Sequence, residues 1–374
     1  MLSNAQLARL DAETRGRKVL NVFVNARETD AVGRLSWRTT LESALTRTRK
    51  ALADAPHAER NALDGAAARV LEMADRWSAH AEAGGWVAFV TEDAVVHEEA
   101  RPVGDTPMVA WRDGVATLAY VCLPPLAPPV LAVLVNARSA RILRWAGGAL
   151  SHVDTIHAHA QARRAGHMGD APREHFHGGT RGTTTSEAMQ RTALTARERM
   201  MRELADRLQE LAGSDAVIVI GGTPVPAREA WRALSHALTD RALQLGGFSI
   251  WATEAEIVRA AQDGAARLAR AQQSARVATL LERAGARETG ITGAAGTLLA
   301  VRAGAGRDVL FTPRFVTRHP DDAELLVREG LTHGAELLEV SGEAAEQLDA
   351  TGGGVGALLR FPPLRAAAPP ATAG

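Results

Sequence analysis

Cysteine is almost missing from this 374-residue sequence: Cys122 is the only one. No intrachain disulfide and no multi-cysteine metal cluster can form, and a reducing compartment fits. Lysine is nearly missing as well, since Lys18 and Lys50 are the only two among 43 basic side chains; that bias carries no functional weight. Net charge is also absent, because 43 acidic residues cancel the 43 basic ones. This excludes a chain that attracts nucleic acid over its whole surface and confines any such site to a local patch. No stretch approaches the roughly 18 uncharged apolar residues of a membrane span, and Met1–Arg17 has no long apolar core. A cytoplasmic protein without a membrane partner is expected. What is present, 46% hydrophobic and 23% charged residues, is the balance of a folded globular chain. Its length exceeds one compact core at the usual ~100–200 residues per domain, so two or three domains are expected.

The β-branched run Val19–Val24 predicts a strand, and the apolar period Trp37, Leu41, Leu45, Leu52 a helix after it. Pro56 interrupts, and the period Leu63, Ala67, Val70, Ala74, Trp77 predicts a second helix that completes a helical hairpin. Trp86–Val90, Ala94–His97 and Thr117–Leu123 read as strands. Four prolines within Pro124–Pro129 cannot lie inside a sheet and mark a domain boundary. Beyond them Val130–Val135, Ala140–Trp145 and Leu150–Ile156 predict a three-stranded meander. Ala158–Thr185 has no apolar period and is too long for an ordinary connection, which is the profile of a functional or disordered loop. A capping box of Thr184 and Glu187 opens a long helix with Gln190, Leu194, Arg197, Met201, Leu204, Leu208 and Leu211 on one face. Strand Ala216–Ile220, helix Ala227–Leu243 and strand Phe248–Trp251 follow, and a second capping box, Thr253 with Glu256, opens a helix to about Ala284. Strand Val309–Phe311, helix Pro320–Thr332, strand Glu336–Val340, a short helix near Glu343–Leu348 and strand Ala357–Phe361 complete a small α/β sandwich.

Six of the twelve histidines lie within His152–His177, including the pairs His157/His159 and His175/His177, with Asp154, Asp170 and Glu174 nearby. Imidazoles with a carboxylate are a zinc or transition-metal donor set; a solvated, titratable loop is the alternative. Over Gln161–Arg202 there are eight arginines, Arg163, Arg164, Arg173, Arg181, Arg191, Arg197, Arg199 and Arg202, against Asp170, Glu174, Glu187 and Glu198. Arginine with glycine backbone that can approach closely suits RNA phosphates and sugars; the alternative is a helix face laced with ion pairs. Gly221-Gly222 lacks the Gly-Lys-Ser/Thr continuation of a phosphate loop, and Pro224 and Pro226 remove amide donors, so it reads as a strand-to-helix turn. Cys122 reads as a core residue.

The run Gly352-Gly353-Gly354-Val355-Gly356-Ala357-Leu358-Leu359-Arg360-Phe361 resembles the terminal strand of archaeal and eukaryotic class-1 peptide release factors and their Pelota-type rescue relatives. With the Gly-Gly inside an Arg/His loop after a meander, and the long helix behind it, the chain resembles the bacterial archaeo-eukaryotic release factor family. The resemblance implies an α/β chain of three domains. These are an N-terminal α/β domain with a helical hairpin (1–125), an RNase H-like middle domain with the Gly-Gly loop (130–252) and a small C-terminal α/β sandwich (253–364), before a disordered tail (365–374). It implies a ribosome partner, through ribosomal RNA or tRNA, with a translation GTPase as a candidate partner, no cofactor, and action in hibernation or rescue. Where relatives carry Gly-Gly-Gln, this chain reads Gly178-Gly179-Thr180, so hydrolysis of peptidyl-tRNA is not carried over and these three stay candidates only; the hairpin tip Asp54–Arg60 lacks Asn-Ile-Lys-Ser, so neither is stop-codon reading. The residues expected to touch RNA are Arg163, Arg164, Arg173, His175, His177, Gly178, Gly179, Thr180, Arg181, Gln190 and Arg191. A peptidyl-tRNA hydrolase and a metal-dependent hydrolase built on the histidines are the alternatives.

Overall fold

The computed structural model describes residues 2–26, 36–77, 84–103, 108–159, 185–245 and 251–362. The chain divides into two compact units, one of residues 1–126 with 270–374 and the other of residues 127–269. The first break falls inside the Pro124–Pro129 run.

In the first unit, helix α1 (Asn4–Thr14) precedes strand β1 (Lys18–Val24), helices α2 (Trp37–Ala51) and α3 (His57–Trp77) and strands β2 (Trp86–Val90), β3 (Val95–Ala100) and β4 (Met108–Asp113). The four strands form an antiparallel sheet in the order β3-β2-β1-β4. Leu20, Val22 and Val24 alternate with Val19 and Phe23 along β1, and both sets are buried. The first set packs under Trp37, Leu41, Leu45, Leu63 and Val70 of the helical hairpin. The second set joins Leu7, Phe89 and Tyr120 in a core shared with Val309, Phe311, Leu326 and Leu331 from the C-terminal part of the chain.

That C-terminal part comprises β10 (Gly290–Thr292), α9 (Ala294–Arg302), β11 (Gly306–Phe311), α10 (Pro313–Arg318), α11 (Pro320–Thr332), β12 (Glu336–Glu339), α12 (Gly342–Gly352) and β13 (Val355–Leu359), with strand order β10-β13-β11-β12. The glycine-rich signature thus serves the fold. Gly353, left-handed at φ 67°, ends α12. Gly354 has φ +79°, and a Cβ there would lie 2.7 Å from Asp349 Oδ1. The five residues of β13 behind it are all buried in the middle of the sheet.

The second unit holds β5 (Val130–Val135), β6 (Ser139–Ala146), β7 (Ala149–His157), α5 (Thr185–Leu211), β8 (Val217–Gly222), α6 (Pro224–Ala233), α7 (His236–Thr239), β9 (Ala242–Gln244) and the first half of α8 (Glu254–Gly285). Its sheet runs β7-β6-β5-β8-β9, with the meander antiparallel and the β5/β8 and β8/β9 pairs parallel. The expected capping box at α8 is present: Thr253 N donates to Glu256 Oε2 at 2.7 Å, and Glu256 N to Thr253 Oγ1 at 3.3 Å.

Several expected elements differ. Thr117–Leu123 is not a strand but the short helix α4 (Thr117–Val121). β4, which the sequence reading did not foresee, already occupies the β1 edge, and Thr117 and Tyr120, three apart, bury one helical face instead. The helix expected over Ala227–Leu243 breaks at extended Leu234 into α6, α7 and β9. Phe248–Ile250 of the strand expected at Phe248–Trp251 lie outside the described residues. Cys122 is a half-buried thiol whose pKa burial pushes up, with Glu339 beside it adding to the shift.

Gly222 explains the Gly-Gly pair after β8. Its φ is +115°, and a Cβ there would sit 2.0 Å from the Val135 carbonyl oxygen of the neighbouring strand. That carbonyl instead accepts from Thr223 N at 2.8 Å. Gly222→Ala is therefore expected to lower unfolding free energy by at least about 2 kcal/mol, read as a shift in urea midpoint at unchanged slope; a change under about 0.5 kcal/mol would contradict the close approach.

Candidate functional site

The candidate site is mounted on the second unit, between the end of its edge strand and the start of its longest helix. β7 ends at His157, and Ala158 N is still tied to Arg138 O at 2.8 Å. The chain re-enters the described residues at Thr185, the first residue of α5. Arg163, Arg164, Arg173, His175, His177, Gly178, Gly179, Thr180 and Arg181 all fall in the segment between, outside the described residues, as does the Thr184 half of the expected capping box. What the structure places is the frame that holds both ends of this segment.

α5 has 27 residues, about 40 Å at 1.5 Å per residue. Only part of it packs. Met200, Met201, Leu204 and Leu208 are buried against Leu131, Val133, Ile142, Ile218 and Ile220 of the sheet and Ala227 and Ala230 of α6, and Ala196 is buried as well. Gln190, Arg191, Thr192, Ala193, Leu194 and Thr195 are exposed without exception. The expected apolar stripe began at Gln190, and here the structure corrects it: Leu194 is 48% exposed, and packing starts at Ala196. A helix exposed on every side over consecutive turns is bridging or reaching rather than covering a core. This exposed stretch, Gln190–Thr195, forms a stalk ahead of the packed part of α5, and the Arg/Gly segment precedes it in the chain. Leu194 beside Arg191 is a surface residue that the sequence does not reveal, because hydrophobic period alone cannot show where packing along a helix begins.

The arginines sort by environment. Arg197, at the base of the stalk, pairs with Glu229 of α6 at 2.8 Å, both side chains being largely covered. Arg207 bonds Asp154 of β7 at 2.9 Å and Glu210 at 2.7 Å, locking α5 to the edge strand. Arg191, Arg199 and Arg202 are exposed and meet no carboxylate among the described residues. The ion-pair alternative therefore holds for the lower helix, and the unpaired cations lie on the stalk and the outer face. Gln190 is exposed one residue before Arg191.

Three of the clustered histidines are described. His152 Nε2 lies 2.8 Å from Thr155 Oγ1. The rings of His157 and His159 stand 6.2 Å apart, and both residues are exposed. No group of three metal-capable side chains occurs among the described residues.

Arg197→Ala should cost about 1 kcal/mol of stability, since the pair is partly screened and Glu229 is left without its cation. Arg191→Ala should stay within about 0.5 kcal/mol. Equal effects in chemical denaturation would contradict the division of α5 into packed base and exposed stalk.

Residues 116–266 match the model of Bacterial archaeo-eukaryotic release factor family 10, a span containing the whole second unit except its last three residues, the stalk and the Arg/Gly segment; this stretch is release-factor-like. No curated protein matches the chain. Solved structures with some likeness include Pelota of Archaeoglobus fulgidus (14% identity, 74% of this chain and 79% of that one, TM-score 0.38) and an archaeal translation termination factor, aRF1 (15%, 96% and 99%, TM-score 0.26). Archaeal Pelota in a ribosome-bound assembly with ABCE1 is another (15%, 74% and 78%, TM-score 0.41).

Proposed function

We propose that this chain is a ribosome-associated factor of the release-factor type that occupies the ribosomal A site in hibernation or rescue. In this reading the Arg/Gly segment at the end of the α5 stalk grips ribosomal RNA or the tRNA acceptor end. The observation that carries it is the exposure of Gln190–Thr195 on every side. A helical stretch exposed on every side costs ordering entropy without burying apolar area, and such a cost fits an element whose far end has something to reach.

The chemistry at that end suits RNA. Arg163, Arg164, Arg173 and Arg181 supply bidentate donors for phosphate. Gly178 and Gly179 allow backbone to approach a sugar or phosphate closely, and His175, His177 and Gln190 add donors for bases or riboses. The family match over residues 116–266 supports the partner. Thr180 has a backbone amide but a short side chain, so binding, not ester hydrolysis, is the activity assigned, and no cofactor or metal is invoked. The neutral whole-chain charge fits a factor that binds through local patches, and a translation GTPase is a candidate for delivering it.

The test is sedimentation through a sucrose cushion with purified ribosomes at about 50 mM and about 200 mM salt. The chain should pellet at low salt and dissociate as salt rises. Arg173→Ala, Arg181→Ala and Arg191→Ala combined should weaken binding and flatten the salt slope by about 1 per lost phosphate contact. Protein left wholly in the supernatant at low salt, or a triple variant with unchanged affinity and slope, would refute the reading.

A further inference from the structure

A cationic cleft lies in the other unit, formed by elements more than a hundred residues further along the chain. It is a cleft of about 260 Å³ between α10 and the C-terminal end of α12, lined by Arg314, Phe315, Arg318, His319, Asp349 and Gly353. Thr312 builds it. Its side chain accepts from Phe315 N at 3.1 Å, capping α10, while its hydroxyl donates to Asp349 Oδ1 at 2.7 Å, tying α10 to α12. Phe315, 3% exposed, sinks one face of α10 into the core. That anchoring leaves Arg314 and Arg318, both exposed and four residues apart, as neighbours on the helix surface. The His319 ring lies against Phe315 with centroids 5.6 Å apart. At Gly353 nothing lies within 4 Å of where a Cβ would stand, so the cleft stays open there.

The charges do not balance themselves. Like charges at this spacing destabilise a helix by a few tenths of a kcal/mol, and among the described residues neither guanidinium meets a carboxylate. The acidic groups at hand are Asp322, 3.9 Å from His319 Nδ1, and Asp349, with one oxygen taken by Thr312. A bare anion would be repelled by the second Asp349 oxygen. A ligand that carries both an anion and a hydrogen-bond donor satisfies both signs at once.

We propose that this cleft binds one nucleotide unit of single-stranded RNA. The phosphate sits between Arg314 and Arg318, the base lies on the exposed His319 ring, and the ribose 2′-hydroxyl donates to Asp349. An open cleft smaller than the ~300–1,000 Å³ of small-molecule sites holds a unit of a chain rather than enclosing a free nucleotide. The inference goes beyond the stalk-based reading and rests on none of its residues.

The experiment is fluorescence anisotropy of the full chain with labelled octauridylate at about 50 mM salt, in an Arg173→Ala, Arg181→Ala, Arg191→Ala background that removes the stalk contribution. Binding should persist there. Adding Arg314→Ala with Arg318→Ala should weaken it by about tenfold and flatten the salt slope by about 0.7, the value for one single-strand phosphate contact, at unchanged melting temperature. The deoxy octamer should bind more weakly. No binding in the background, an unchanged affinity in the arginine pair variant, or equal affinity for the deoxy octamer overturns the proposal. So does displacement by adenosine monophosphate at the same concentration as by the octamer, which would make this a free-nucleotide site. Loss here with ribosome sedimentation intact removes the cleft alone; the reverse removes the stalk reading alone.

Discussion

The second unit depends on where burial begins along α5. Met200, Met201, Leu204 and Leu208 are fully or almost fully buried on the five-stranded sheet, and each such side chain contributes about 1.5–3 kcal/mol over its exposed state. That anchorage supplies the nucleus, so the exposed turns add one hydrogen bond per residue fixed without a second nucleation, while their ordering entropy is not offset by burial. The exposed turns before Ala196 are helical because the packed turns after it are. The same anchorage aims the stalk, and Arg197–Glu229 and Arg207–Asp154 hold its base against α6 and β7.

Much of this architecture is legible in the sequence, and the misreadings have physical causes. β-branched runs such as Val130–Val135 and Ala216–Ile220, and helices with a long apolar period such as Leu63, Ala67, Val70 and Ala74, announce themselves because burial on a sheet or along one helix face leaves a period in the chain. Thr117–Leu123 misleads because seven residues are too few to separate a period of two from one of 3.6, and competition for the β1 edge is decided by β4, whose identity as a strand is tertiary. α1 hides behind an alternating pattern, although its Ser3/Gln6 capping box was there to be read. Leu194 shows the limit from the other side: the period continues beyond the packed part of the helix.

The candidate site divides in the same way. The concentration of arginine and glycine between His157 and Arg191 is local in sequence, so composition alone exposes it. The α10/α12 cleft is assembled from Arg314 and Asp349, 35 residues apart in number and brought together by the Thr312 hydroxyl, and no linear motif contains it. The Gly352–Phe361 run, the most specific string in the sequence, turns out to serve packing first: Gly354 permits close approach to Asp349 and Thr312, and only Gly353 touches the cleft.

The central claim is that the end of the α5 stalk contacts ribosomal RNA. The most direct measurement places a photoreactive amino acid at Thr180 in the full chain, irradiates it with purified ribosomes, and maps the adducts by primer extension. The account predicts adducts on large-subunit RNA near the peptidyl-transferase centre, lost when the ribosomes are first filled with A-site tRNA. Adducts confined to the protein itself, or RNA adducts unaffected by A-site occupancy, would contradict it.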